Sequence, residues 1–297
     1  MANKTVSLVL GSGGARGLAH IGVINWLTEQ GYDIRSISGA SMGALVGGIY
    51  ASGHLDVYTE WVTRLEKMDV LGLLDFSFGE GGLIKGERII RVLRDLIGDY
   101  QIEDLPLAFT AVATDLDNQK EVWLNKGPLF EAIRASMAIP SIFTPVIYHG
   151  MRLVDGGLLN PIPIAPTLKD KTDITIAVNL SARPRSRPAI TRTSAPAEEE
   201  PATEEDASYR ENIQHFIDRL HDKIFESSPA DIGLLDIITN SLDTMQNSIA
   251  RFRLAAYGPD IIINIPSDVC LFYEFYRAKE LIQIGYEITE ASFNPSD

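Results

Sequence analysis

Gly39-Ala40-Ser41-Met42-Gly43 sets a serine between two glycines, after the alternating stretch Ile34-Arg35-Ser36-Ile37-Ser38 and before the small, apolar run Ala44 to Ala51. A strand, a sharp turn and a helix is the setting in which Gly-x-Ser-x-Gly exposes a nucleophilic hydroxyl at a helix N-terminus. Gly39 and Gly43 relieve the crowding that Cβ atoms would create around a serine held in strained backbone geometry. Upstream lies Gly11-Ser12-Gly13-Gly14-Ala15-Arg16-Gly17. It separates a buried strand, Val6 to Leu10, from a helix of about Leu18 to Gln30 with apolar residues at Leu18, Ile21, Val23, Ile24 and Leu27. Unpaired N–H groups and the helix dipole favour negative charge at such a junction. A serine nucleophile beside an anion cradle is the equipment of acyl transfer.

Other chemistries fit the glycine loop less well. A nucleotide P-loop continues into Gly-Lys-Ser/Thr, where this chain has Arg16-Gly17-Leu18. A dinucleotide site is closer, with Gly11-x-Gly13 and Asp33 further on, but Arg16 stands where the third small residue belongs. A tight strand-to-helix turn without a ligand is the plain alternative. The serine also lacks an obvious histidine partner. Of the five histidines, His20 opens a helix beside the loop, His54 follows a helix end at Gly53, and His149 lies in a Tyr-His-Gly turn. His215 and His221 read as a solvated helix face. A carboxylate is better placed: Met151-Arg152-Leu153-Val154 reads as a strand ending in Asp155-Gly156-Gly157, an acid followed by two residues that allow close backbone approach.

These motifs, in this order and strand context, resemble the patatin-like phospholipase family. Ala135-Ser136-Met137-Ala138-Ile139-Pro140-Ser141-Ile142-Phe143-Thr144-Pro145 is similar to the Ala-Ser-x-x-x-Pro-x-x-Phe-x-Pro stretch that precedes the family's Asp motif. The resemblance covers residues 5 to 180 and is nearest to bacterial members related to the catalytic domain of neuropathy target esterase. The chain departs at Ser12, where the family's pattern aligned on Arg16 begins with glycine; Gly13 and Gly14 are kept. The resemblance implies Ser41 as nucleophile, Asp155 as its base, and the N–H groups of Gly13, Gly14 and Ala15 as an oxyanion hole. Gly39, Gly43, Gly156 and Gly157 support the turns, and Arg16 either braces the loop or the Asp155 region, or meets substrate phosphate. No metal or cofactor is required. The substrates implied are phospholipids, lysophospholipids or other acyl esters. An acyl-Ser41 intermediate would also serve an acyltransferase or thioesterase, and a catalytically silent regulatory protein is the reading from another class.

The elements needed to hold these residues amount to one three-layer α/β/α domain with a mostly parallel central sheet. Residues 1–182 form the catalytic core, 183–206 a disordered, Pro-rich linker with a basic and an acidic half, and 207–297 a helical part that completes the same domain. That part is expected to hold helices at 207–226 and 231–257, a strand at 260–265 and a final helix from about Leu271 to Ala291. Leu235, Ile238, Leu242, Met245, Ile249 and Phe252 follow a heptad seam expected to pack on the core, with a homodimer as the alternative. Val70 to Phe78 reads as core beneath a loop, or as a lid or acyl-chain wall. The formal charge of −14 argues against nucleic acid and against simple docking to anionic membranes, leaving peripheral contact to apolar or locally basic surface. No run of 18 apolar residues and no signal-peptide core is present, and the lone Cys270 forms no internal disulfide, which together suggest a cytoplasmic protein.

Overall fold

In the computed structural model, residues 4–75, 84–182 and 234–294 are described, with backbone alone for 234–240. The chain divides into two compact units, Met1–Pro184 with Gln246–Asp297, and Arg185–Met245. The expected linker at 183–206, the helix at 207–226, His215, His221 and the distal part of the Val70 to Phe78 stretch, from Phe76 on, lie outside the described residues.

Thr5–Leu10 shows how the first unit is layered. Val6, Leu8 and Leu10 enter one apolar cluster, whereas Val9 enters another on the opposite side. A strand buried on both faces needs helices on both, and the period of two assigns each side chain to its layer. This strand, β1, leads through the glycine loop to α1 (Ala19–Glu29), then β2 (Asp33–Ala40) and α2 (Met42–Ala51). Three helices follow, α3 (Leu55–Val62), α4 (Lys67–Gly72) and α5 (Glu87–Ile97). In α5 the buried Ile90, Leu93 and Ile97 recur at steps of three and four between charged residues, so one stripe faces inward. Next come β3 (Ala108–Asp115), β4 (Lys120–Leu124), α6 (Leu129–Ser136), β5 (Val146–Tyr148), β6 (Met151–Asp155) and β7 (Ile174–Ala182). The described chain resumes with α7 (Leu234–Tyr257), β8 (Ile261–Pro266) and α8 (Ala278–Phe293).

Strands β3, β2, β1, β7 and β8 lie side by side in parallel, and β4, β5 and β6 add antiparallel pairings. The larger cluster lies between one sheet face and helices that include α1, α2 and α6. On the other face Val9 and Ala177 meet Ile162, Ile164 and Ala250 of α7, with Leu254 and Tyr257 packed alongside. This is the expected α/β/α arrangement. Among the described residues no helix is long and apolar enough to cross a membrane.

Two expectations for the C-terminal part are corrected. The packed face of α7 is Ala250, Leu254 and Tyr257, while Met245 and Phe252 of the expected seam are 56% and 76% exposed. The small Ala250 lets the helix approach the sheet, which turns the larger seam residues outward. The final helix begins at Ala278 rather than Leu271, after a loop and a short 3-10 turn, Phe275–Arg277. The apolar residues before it serve another purpose, described below.

The turn after β2 is sterically closed to side chains. A Cβ on Gly43 would lie 2.1 Å from the carbonyl oxygen of Leu10, and one on Gly39 would lie 2.4 Å from the backbone of Gly43. Gly72, by contrast, has nothing within 4 Å of its hypothetical Cβ. Gly43→Ala should therefore destabilise by about 3 kcal/mol or prevent folding, because the obstacle is backbone and cannot swing aside. Gly72→Ala should be neutral or stabilising by up to about 1 kcal/mol. Urea unfolding of both variants checks the contrast in sign.

Candidate active site

The sheet brings Ser41 and Asp155 together through an unusual use of one strand edge. On β3, Val112 and Ala113 face Trp123 and Val122 of β4. The other edge of β3 is shared: Val112 pairs with Ala40, the last residue of β2, and Ala113 with Asp155, the last of β6. The two strands thus meet end to end from opposite directions. Ser41 is the next residue after Ala40, so it emerges where β6 ends in Asp155.

Ser41 adopts φ 55° and ψ −122°, a left-handed backbone uncommon for a residue with a side chain, which is the strained geometry expected of this turn. It precedes α2, so its hydroxyl lies at the positive end of that helix. Asp155 is buried, and Oδ1 accepts the N–H of Gly157 at 2.7 Å. Gly156 cannot carry a side chain, since a Cβ would lie 1.9 Å from the carbonyl oxygen of Val112. Burial pushes the Asp155 carboxyl up to about 7, against the lowering effect of the Ser41 hydroxyl and the Gly157 N–H. Oδ2 is buried and has no complete hydrogen bond among the described residues, although Ser41 is near enough to pull on the carboxyl. The carboxyl is therefore poised to change protonation near neutrality.

The glycine loop spends some of its backbone donors and keeps others. Gly11 donates to Val178 O at 3.1 Å, Ser12 to Pro161 O at 2.9 Å and Ala15 to Phe272 O at 2.8 Å. Of the three expected oxyanion donors, the Ala15 N–H is thus engaged by Phe272. Those of Gly13 and Gly14 have no protein partner among the described residues. Gly14 is buried and Gly13 half-buried, and free N–H groups at a loop-to-helix junction are of the kind that can receive an anion. Phe272 also covers Gly14, where a Cβ would lie 2.3 Å from its ring. This is the role taken by the segment before α8: it latches the loop and covers Gly14.

Arg16 braces the loop. Its Nε donates to Gly13 O and one terminal nitrogen to Ser267 O, each at 3.1 Å. Close packing falls to Gly17, whose Cβ would meet that of Met42 at 2.3 Å. His20 is buried with Nε2 2.8 Å from Gly11 O, and a carbonyl can only accept, so Nε2 carries the proton. Burial pushes this imidazole down to about 4, which keeps it neutral. It supports the loop and has no free lone pair on Nε2 with which to act as base. Among the described residues no group of three His, Cys, Asp or Glu side chains could hold a metal ion.

The arrangement has the parts that acyl transfer requires: a hydroxyl at a strained elbow, a buried carboxyl next to it, and a glycine loop with two N–H groups that have no partner among the described residues. The chain belongs to the patatin-like phospholipase family, which residues 8–168 match, and is a lipid hydrolase. An uncharacterised NTE family protein of Mycobacterium tuberculosis is 38% identical over 96% of this chain and 90% of its own length. Lysophospholipase nte1 of Emericella nidulans is 30% identical over 61% of this chain and 12% of its own. A patatin-like phospholipase domain-containing protein of Caenorhabditis elegans is 32% identical over 55% of this chain and 12% of its own.

The raised Asp155 value makes a stability prediction with a definite sign. An unfolded aspartate titrates near 3.9, so between about pH 4 and 7 the folded state holds a proton that the unfolded state has lost, and stability falls as pH rises. The full penalty, up to about 4 kcal/mol, is present above pH 7. His20 acts in the opposite sense, removing stability as pH falls from about 6.5 towards 4. It does so equally in parent and Asp155 variant. Asp155→Asn should therefore be more stable than the parent at pH 8 and nearly equal to it at pH 4, in urea titrations at both values.

Proposed function

We propose that the protein is a serine carboxylesterase that releases acyl chains from phospholipids or lysophospholipids, with Ser41 as nucleophile and Asp155 as base. The observation that carries this reading is the buried Asp155 carboxyl, raised to about 7, beside a serine at a left-handed elbow. Ser41 Oγ attacks the ester carbonyl carbon while its proton passes to Asp155 Oδ2, the carboxyl oxygen without a complete partner. The carbonyl electrons move to oxygen, and the resulting oxyanion is held by the Gly13 and Gly14 N–H groups. The carbon–oxygen bond to the glyceryl group then breaks, Asp155 protonates the departing alkoxide, and the acyl group stays on Ser41. Water attacks the acyl-serine, gives its proton to Asp155, and the fatty acid leaves as Ser41 Oγ recovers that proton. Each oxyanion-hole donor of this type is worth about 10²–10³ in rate.

Ser41→Ala should abolish hydrolysis of both phospholipid and p-nitrophenyl ester while leaving the melting transition in place. Asp155→Asn should lower kcat by about 10³ or more, as loss of a group that acts as a unit with the nucleophile does. Full activity in either variant, with loss in His20→Ala instead, would overturn the assignment.

Lipid contact is assigned to the residues that flank Phe272 in the chain. Leu271 and Tyr273 are 42% and 44% exposed on either side of Phe272. Exposed apolar side chains bordering a site suit an aggregated substrate better than a dissolved one. Leu271→Ser with Tyr273→Ser should reduce turnover of phospholipid vesicles at least tenfold more than turnover of a short, soluble p-nitrophenyl ester, a difference of about 1.4 kcal/mol in the transition state. Equal loss on both substrates would remove these residues from lipid contact.

A further inference from the structure

Because β2 and β6 meet end to end, the edge of β3 has a joint in it. The Ser41 N–H does not close onto the Val112 carbonyl directly. It donates to Ser136 Oγ at 2.9 Å, and Ser136 Oγ–H donates to Val112 O at 2.6 Å. Ser136 is the last residue of α6 and is fully buried. One hydroxyl therefore stands in the joint as a relay, accepting from the nucleophile's own amide and donating to the strand beneath. Two residues on, the Ala138 carbonyl accepts the N–H of Asp155 at 2.9 Å. The end of α6 and the turn after it thus hold the backbone of both residues.

We infer that Ser136 is a positioning residue, whose hydroxyl fixes the strained Ser41 backbone and with it the direction of the attacking oxygen. This rests on the reading of Ser41 as the nucleophile. Two features demand such a group. A left-handed serine relaxes unless its neighbours over-determine it. An alanine at position 136 would also leave a buried N–H and a buried carbonyl without partners at the same point. A small displacement of the nucleophile matters, since about 1 Å can reduce the rate about 10²-fold. Proton transfer to Asp155 needs no atom of Ser136, so the pH at which activity appears should be insensitive to it.

The test compares the parent with Ser136→Ala, Ser136→Thr and Ser136→Cys in p-nitrophenyl ester hydrolysis, thermal melting and amide hydrogen exchange of the peptide carrying Ser41. Ser136→Ala should melt cooperatively, keep KM and the pH midpoint of kcat/KM, lose about 10²-fold in kcat, and exchange the Ser41 amide faster. Ser136→Thr, which restores the hydroxyl, should recover most of both losses. Retention of kcat within about threefold in Ser136→Ala would overturn the inference, as would loss of kcat with unchanged exchange. Should the alanine variant fail to fold, Ser136→Cys decides: a thiol is a weak donor and acceptor, so full kcat with full amide protection would count against the relay. If Ser41→Ala itself still hydrolyses ester, the nucleophile reading fails, and the exchange measurement alone judges whether Ser136 holds the elbow.

Discussion

Everything at this site depends on two strands sharing one edge of a third. The end of β2 at Val112 and the end of β6 at Ala113 leave no spare residue between them, so Ser41 and Asp155 are neighbours by sheet register before any side-chain contact is considered. Neither β2 nor β6 can slip by one residue without sending its side chains to the opposite face. Glycine at 39, 43 and 156 follows from the same crowding, since each hypothetical Cβ would fall within 2.4 Å of backbone. The elbow is thus set by packing of main chain on main chain, which has little room to relax.

The environment then gives this arrangement its chemical character. A carboxylate in water is too weak a base to help a serine, and burial raises Asp155 to a value at which it can accept a proton near neutral pH. That gain opposes stability, a common cost of functional sites. The glycine loop is held from three sides, by His20 on Gly11, Arg16 between Gly13 and Ser267, and Phe272 on Ala15. These braces leave the Gly13 and Gly14 N–H groups unspent. On the proposed mechanism, donors fixed in advance need no reorganisation when charge develops on the substrate.

Much of this was legible from the sequence wherever a residue type is forced by backbone contact. Gly-x-Ser-x-Gly and Asp155-Gly156-Gly157 are visible because no other residue fits, and the strand at Val6 to Leu10 because both of its faces are buried. Ser136 stands in a motif of the resemblance, but its role was not legible, because it depends on a joint between strands far apart in the chain. The apolar run from Leu271 has helical spacing but is drawn into a loop by the glycine loop it covers. Met245 and Phe252 keep a perfect seam spacing, yet Ala250 decides which face of α7 meets the sheet. Local pattern gives the kind of element, and competition among possible contacts gives its orientation.

On the proposed mechanism Ser41 reacts because Asp155 takes its proton. The direct measurement is the rate at which a fluorophosphonate modifies Ser41 as a function of pH, with the adduct located by peptide mass spectrometry. A single adduct on Ser41 is expected, forming at a rate that rises with pH to a plateau with a midpoint near 7, the value to which burial raises Asp155. An adduct elsewhere, or a rate on Ser41 that is flat between pH 5 and pH 9 and unchanged in Asp155→Asn, would contradict that mechanism.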